Sequence, residues 1–178
     1  MASPAYIDNG GLAVATDGDL DIAYPGTVSA DDILLIQVLS DDAGTHGAIS
    51  GFTKVTQRSH STVASASWYW KRATGSESGT VNCLNTDTSG LFVGVMSRWS
   101  GCIASGTPYE QQQEADGVGN NSVSSSAITP VTDENRVVCL VCVEDNTYSG
   151  PLTGGNYANN FSLEIGRASC RERVSDYV

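Results

Sequence analysis

The chain has 178 residues, 40% hydrophobic and only 16% charged. That suits one domain with a sizeable core and excludes a disordered acidic chain. Lys and Arg number 9 against 20 Asp and Glu, a net charge of −11; such a field draws in neither a nucleic-acid backbone nor an anionic membrane, so neither is an expected partner.

The opening MASPAYIDNG has neither a cationic n-region nor an apolar h-region, so no signal peptide is expected and synthesis is assigned to the cytoplasm. No apolar run approaches the roughly 20 residues of a membrane helix. The runs GLAVAT (11–16) and LDIAY (20–24) flank the turn signal DGD, which predicts a hairpin. DDILLIQVLSDD (31–42) is a continuous apolar run fenced by acids, the pattern of a strand covered on both faces. DDAGTHGAISG (41–51) reads as loop.

TVASASWYWKRA (62–73) alternates with period two. Ala64, Ala66, Trp68 and Trp70 share one face, and the two tryptophans are expected to anchor the core. Val63, Ser65, Ser67, Tyr69 and Lys71 share the other, which makes Tyr69 the exposed aromatic. TGSESG (74–79) is a turn, TVNCLN (80–85) a strand and TDTSG (86–90) another turn. LFVGVMSRWSG (91–101) is a strand, and Gly94 inside it signals a bulge or a close backbone approach. ASGTPYEQQQEADGVGNNS (104–122) is a long polar connection, SVSSSAITP (122–130) a modest strand and RVVCLVCVED (136–145) a strong one. NTYSGPLTGGNYANN (146–160) reads as loop. Seven or eight short strands with turns between them predict an all-β fold, an antiparallel β-sandwich of jelly-roll-like character.

The chemistry-bearing residues form no recognised catalytic set. His46 and His60 lie in or beside polar stretches and read as surface histidines; no G-x-S-x-G elbow accompanies them. Asp17, Asp19 and Asp21 could converge on Ca²⁺. Leu20 and Ile22 between and after them instead read as inward positions of a strand, with Asp19 and Asp21 solvated, so no metal and no cofactor is assigned. Glu144, Asp145 and Asn146 form a second oxygen cluster of the same kind. The C-x-x-C of Cys139 and Cys142 falls in a strand, where residues three apart point to opposite faces, so it is read as structural thiols. Cys83 and Cys102 could form an exposed oxidised pair, which spacing alone does not establish. For sugar stacking the candidate aromatics are Tyr69, Trp99 and Tyr109.

Several stretches in succession carry a resemblance: DDILLIQVLSDD, GFTKV, SASWYWKRATGSESGTVNC, FVGVMSRWSGCIASGTPYE and SSSAITPVTDENRVVCLVCVED. Over residues 10–145 they resemble a β-sandwich domain common in structural, tail-associated proteins of tailed bacteriophages and prophages. That resemblance implies a non-enzymatic module of a tail, fibre or capsid surface, located in the virion. Its expected partners are other virion proteins or host-surface glycans, with homo-oligomerisation an open option. A carbohydrate-binding module of an adhesin or extracellular protein is the alternative. The family's motifs are structural and transfer no catalytic residue.

EIGRASCRERV (164–174) stands apart, with arginines on an acidic chain and no strand pattern. It resembles the translation of a sequencing adapter. The domain is therefore read as residues 1–163, truncated at its C-terminal end, with 164–178 a non-native tail that is left out of fold reasoning.

Overall fold

A computed structural model of the chain describes residues 4–16, 18–60, 62, 64–84, 91–112, 137–141, 160–164 and 171–177. Among these residues eleven strands form and no helix, so none is present that is long and apolar enough to cross a membrane. The strands are β1 (Ala5–Asn9), β2 (Ala13–Ala15), β3 (Leu20–Ala23), β4 (Ile33–Ser40), β5 (Thr53–His60) and β6 (Ala64–Arg72). After them come β7 (Thr80–Cys83), β8 (Phe92–Ser100), β9 (Val137–Val141), β10 (Asn160–Glu164) and β11 (Arg171–Tyr177).

The main sheet runs β1-β8-β4-β6-β5, with β2 beside β1 on the outer edge of β8. All its pairings are antiparallel. β4 is central and fully paired: Ile33 stands between Arg72 and Trp99, and Ser40 between Ser65 and Phe92. A smaller sheet pairs β3 with β7 and lies against β8 and β2. The fold is therefore all-β, antiparallel and sandwich-like. A further sheet runs β10-β11-β9, also antiparallel.

Alternation along β4 divides the main sheet into two faces. Leu34, Ile36, Val38 and Ser40 face β3 and β7, beside Ser65, Ser67 and Tyr69 of β6 and Phe92, Gly94 and Met96 of β8. Leu20, Ile22, Leu34, Ile36, Val38, Tyr69, Cys83, Phe92 and Met96 form one buried cluster there. On the opposite face Leu39 and Val93 pack with Leu12, Ala66 and Leu91, and Ile33, Gln37 and Trp99 are buried as well. The strand Ile33–Ser40 within the run 31–42 is thus covered on both faces, with Leu35 half-buried, as its continuous apolar character implies.

Gly94 shows why its strand needs a glycine. A Cβ there would lie 2.8 Å from Leu20 Cδ2, 3.0 Å from Val38 Cγ1 and 3.1 Å from the Gln37 carbonyl oxygen. The missing side chain lets β3 seat its leucine directly on β8. Beyond this point, at the other end of β8, Arg98 ties three segments together. Its Nε donates to Asp8 Oδ1 of β1 at 2.8 Å, and its guanidinium lies 3.6 Å from Asp32 Oδ2. It also donates to the Thr27 carbonyl.

Four sequence expectations need correction. GLAVAT and LDIAY do not form a hairpin: β2 joins β8 and β3 joins β7, in different sheets, because Leu20 and Ile22 cap the main sheet instead of extending it. The faces of β6 are also reversed. Tyr69, not the tryptophan pair, looks into the core cluster, while Trp68 and Trp70 are only half-buried on the other side. β1 and β5 are strands not assigned from the sequence; β5 has Val55 as its one aliphatic residue, and β1 is only five residues long. Finally, strands occur at 160–164 and 171–177, although residue 160 ends the expected loop and 164–174 carries no strand pattern in the sequence. The strand expected at 122–130 lies outside the described residues.

Replacing Gly94 by alanine is expected to overpack the contact with Leu20 and cost about 1–3 kcal/mol. Urea denaturation would read this as a lower midpoint at unchanged slope.

Candidate functional site

The most concentrated chemistry lies where β4 ends. Ser40 is the last residue of β4 on the core face, and Ser65 stands opposite it in β6. The chain then turns at Asp42, whose Oδ1 accepts from Gly44 N at 2.8 Å. That turn sends residues 44–47 back across the end of the sheet and lays the His46 ring over Phe92, centroids 5.0 Å apart. His46 is 1% exposed, Ser40 1%, Ser65 2% and Ser67 0%.

Every polar atom of this cluster is engaged. His46 Nε2 lies 2.9 Å from Ser40 Oγ and 3.1 Å from Ser65 Oγ, and Nδ1 lies 2.9 Å from Ser67 Oγ. Ser40 and Ser65 hydroxyls are 2.7 Å apart, and Ser65 Oγ lies 3.0 Å from the Gly44 carbonyl. One proton arrangement lets each hydroxyl donate: Ser65 to the Gly44 carbonyl, Ser40 to Ser65, and Ser67 to Nδ1. The ring then carries its hydrogen on Nε2 and donates to Ser40.

The loop backbone is tied from below as well. Tyr69 Oη donates to the Gly47 carbonyl at 2.7 Å, Lys54 Nζ to the His46 carbonyl at 2.8 Å, and Gln57 Nε2 to the Gly44 carbonyl at 2.9 Å. The His46 amide donates to Gln57 Oε1 and the Gly47 amide to the Leu84 carbonyl. Burial disfavours the imidazolium most, the Lys54 cation adds to it and Asp42 opposes it; together they lower His46 to about 4.

A serine hydroxyl 2.9 Å from an imidazole superficially matches a nucleophile and its base. The chemistry does not follow. The ring is too weak a base near neutral pH to take the serine proton. Its far nitrogen meets Ser67 instead of a carboxylate, and the serines have no surface through which a substrate could reach them. What the arrangement does is fasten the 41–51 loop to the sheet. The reading of His46 as a surface histidine is therefore corrected. Nothing in its Gly-rich, polar sequence context signals burial; only tertiary packing brings Ser65 and Ser67, whose alternation was read as outward, onto the same face. His60 ends the edge strand β5.

The named ligand-binding aromatics do not assemble. Tyr69 is 1% exposed, its hydroxyl used by Gly47, because its face of β6 is the core face. Trp99 is 3% exposed; its Nε1 donates to Ser97 Oγ at 3.0 Å and its ring meets Tyr6 edge-on. Tyr109 alone of the three is exposed. Asp17 lies outside the described residues. Asp19 and Asp21 are exposed while Leu20 and Ile22 are buried, and Asp21 accepts from Asn82 Nδ2 at 2.9 Å. Among the described residues no group of three His, Cys, Asp or Glu is placed to hold a metal ion. Cys83 and Cys102 are free thiols, not a bridge. Burial pushes Cys83 up to about 11 and Cys102 upward too, so both stay protonated and unreactive near neutral pH. Cys139 sits on β9; Cys142, Glu144, Asp145 and Asn146 lie outside the described residues.

A second polar node fixes the turn after β6. The Glu77 carboxylate accepts from the amides of Thr74, Gly75 and Ser76 and pairs with Lys71 Nζ at 3.0 Å. Burial alone would raise this carboxyl, but the Thr74 amide and Lys71 outweigh it and hold it down at about 2.

Comparison with protein-family models, with curated proteins and with solved structures returned no match.

Two outcomes are expected. Nitrogen-15 NMR of the imidazole at pH 7 should show the neutral Nε2–H form, and Ser67→Ala, which leaves Nδ1 without a donor, should cost about 1–2 kcal/mol. Glu77 binds its proton more weakly folded than unfolded, so its contribution is complete above pH 4.5 and is lost as pH falls through about 2. Glu77→Gln should flatten that acid limb in a stability-versus-pH series.

Proposed function

We propose that this chain is a non-enzymatic module of a tailed-phage or prophage virion, serving assembly or host-surface contact in a tail, fibre or capsid accessory. The setting rests on the motif resemblance across residues 10–145. The non-enzymatic part rests on one observation: the described serine–histidine constellation is sealed, neutral and spent on holding a loop. The fully paired central strand, buried on both faces, suits a load-bearing building block.

Host-surface contact through sugars would need aromatics other than the Tyr69 and Trp99 rings, since neither is open to a ligand. Partners in assembly would be other virion proteins or further copies of this chain.

Immunogold electron microscopy on particles of the encoding phage, with antibody against this domain, should decorate the virion. Particles free of label, alongside labelled lysed cells, would overturn the assignment. Incubation with a fluorophosphonate should leave Ser40 and Ser65 unmodified in the folded protein; a covalent adduct on either would overturn the non-enzymatic reading.

A further inference from the structure

The 41–48 segment is held to the sandwich by polar links far more than by apolar ones. Ile49, buried at 2%, is the apolar anchor just beyond it. Before Ile49 the attachments include the His46 ring with its three serines, the His46 and Gly47 amides, and the carbonyls of Gly44, His46 and Gly47. At the start of the segment Asp41 is joined to Leu91, just before β8, by two further hydrogen bonds. Three of these links end on the imidazole ring, which burial keeps neutral; the others hold the loop backbone beside it. With its hydrogen on Nε2, the neutral ring accepts from Ser67 at Nδ1 and donates to Ser40.

A proton on His46 turns both ring nitrogens into donors. The Ser67 hydroxyl, in a site with no solvent, must then turn its hydrogen away from the only ring nitrogen that had accepted it. The charges around the ring do not compensate. From β5, Lys54 presents a cation at the His46 carbonyl. From β6 and β7, Tyr69 and Cys83 stay neutral, because burial pushes both upward. From β8 comes the uncharged Phe92 ring. Asp42, within the loop itself, is the one group that favours the charged ring, and burial together with Lys54 outweighs it.

We propose that residues 42–48, hinged at Asp41, form an acid-released latch: protonation of His46 detaches this loop while the sheets remain folded, uncovering Phe92 and Tyr69 at that end of the sandwich. The sign follows from linkage. The closed loop binds the proton with a pKa of about 4 and a solvated histidine with 6.5. The latch is therefore fully held above pH 6.5 and weakens as pH falls toward 4, below which the loss levels off. At pH 5 this difference makes the open form roughly 30-fold more populated than at neutral pH.

Hydrogen exchange tests this directly. After correction for intrinsic rates, protection of the Gly44, His46 and Gly47 amides should fall roughly 30-fold between pH 7.5 and 5. The β4 and β8 ladder amides should keep theirs. His46→Gln, which cannot titrate, should remove the pH response. Should that variant fail to fold, an NMR titration of the wild-type imidazole serves instead, with a midpoint near 4 expected. Loop protection that stays constant, loop and core amides released together, a midpoint near 6.5, or an unchanged pH response in His46→Gln would each overturn the latch. None of these outcomes depends on the virion assignment.

Discussion

β4 is buried on both faces at every position but Leu35, which is half-buried, and the rest of the structure answers that constraint. A strand with no wet side must satisfy every backbone group through its neighbours, and β6 and β8 do so from Ile33 to Ser40. It must also find apolar cover twice. β3 and β7 supply it on the inner face, with Leu20 set on Gly94; Leu12 and Leu91 supply part of it around Leu39 on the outer face. Where β4 runs out of apolar residues, at Ser40, a hydroxyl is stranded inside the sandwich. An unpaired buried hydroxyl costs on the order of 1–3 kcal/mol. The His46 loop resolves this by bringing hydrogen-bonding partners inward, and so a connection that looks solvent-facing in sequence becomes part of the interior.

Much of the scaffold was legible because it depends on local pattern. The acid-fenced run 31–42, the period-two stretch around Trp68 and Trp70, the strand containing Gly94 and the turn 74–79 all carry their structure in adjacent residues. Even the role of Gly94 as a close approach was readable from its position within an apolar run. Strand partners were not readable. DGD between two short strands has the chemistry of a hairpin, yet β2 and β3 go to different sheets, since burying Leu20 and Ile22 over β8 outweighs pairing with a three-residue neighbour. β5 has Val55 as its single aliphatic residue among Thr, Lys, Gln, Arg, Ser and His, which is the composition of a charged sheet edge and not of a core strand.

The site was less legible than the fold, and for a related reason. Alternation assigns residues to two faces but does not say which face is the core. In β6 one face offered alanines and tryptophans, the other serines, a tyrosine and a lysine. Hydrophobicity alone favours the first. The structure buries the second, because Ser65 and Ser67 are needed by His46 and the Tyr69 hydroxyl is needed by Gly47. Polar residues thus mark the interior here, since they are the partners of a polar loop. Reading Tyr69 as an exposed ring and His46 as a surface base were two consequences of one reversed face.

The two ends of β4 are closed by different physics, and this gives the module a direction. Near Ile33 and Leu34 the closure is ionic: Arg98 joins Asp8 of β1 to Asp32 of the loop that enters β4. Near Ser40 the His46 ring and its three serines form an uncharged core that burial keeps uncharged, with Lys54 and Asp42 bound to the loop backbone around it. Ion pairs at a partly exposed end are weakened by salt, whereas the buried hydrogen bonds among the ring and its serines are nearly blind to it. Acid works the other way around in the range just below neutrality. There the arriving proton meets the imidazole, and the cost of charging it falls on the loop that the ring holds in place. If the latch holds as proposed, one end of the sandwich responds to ionic strength and the other to acid, on either side of the fully paired strand β4.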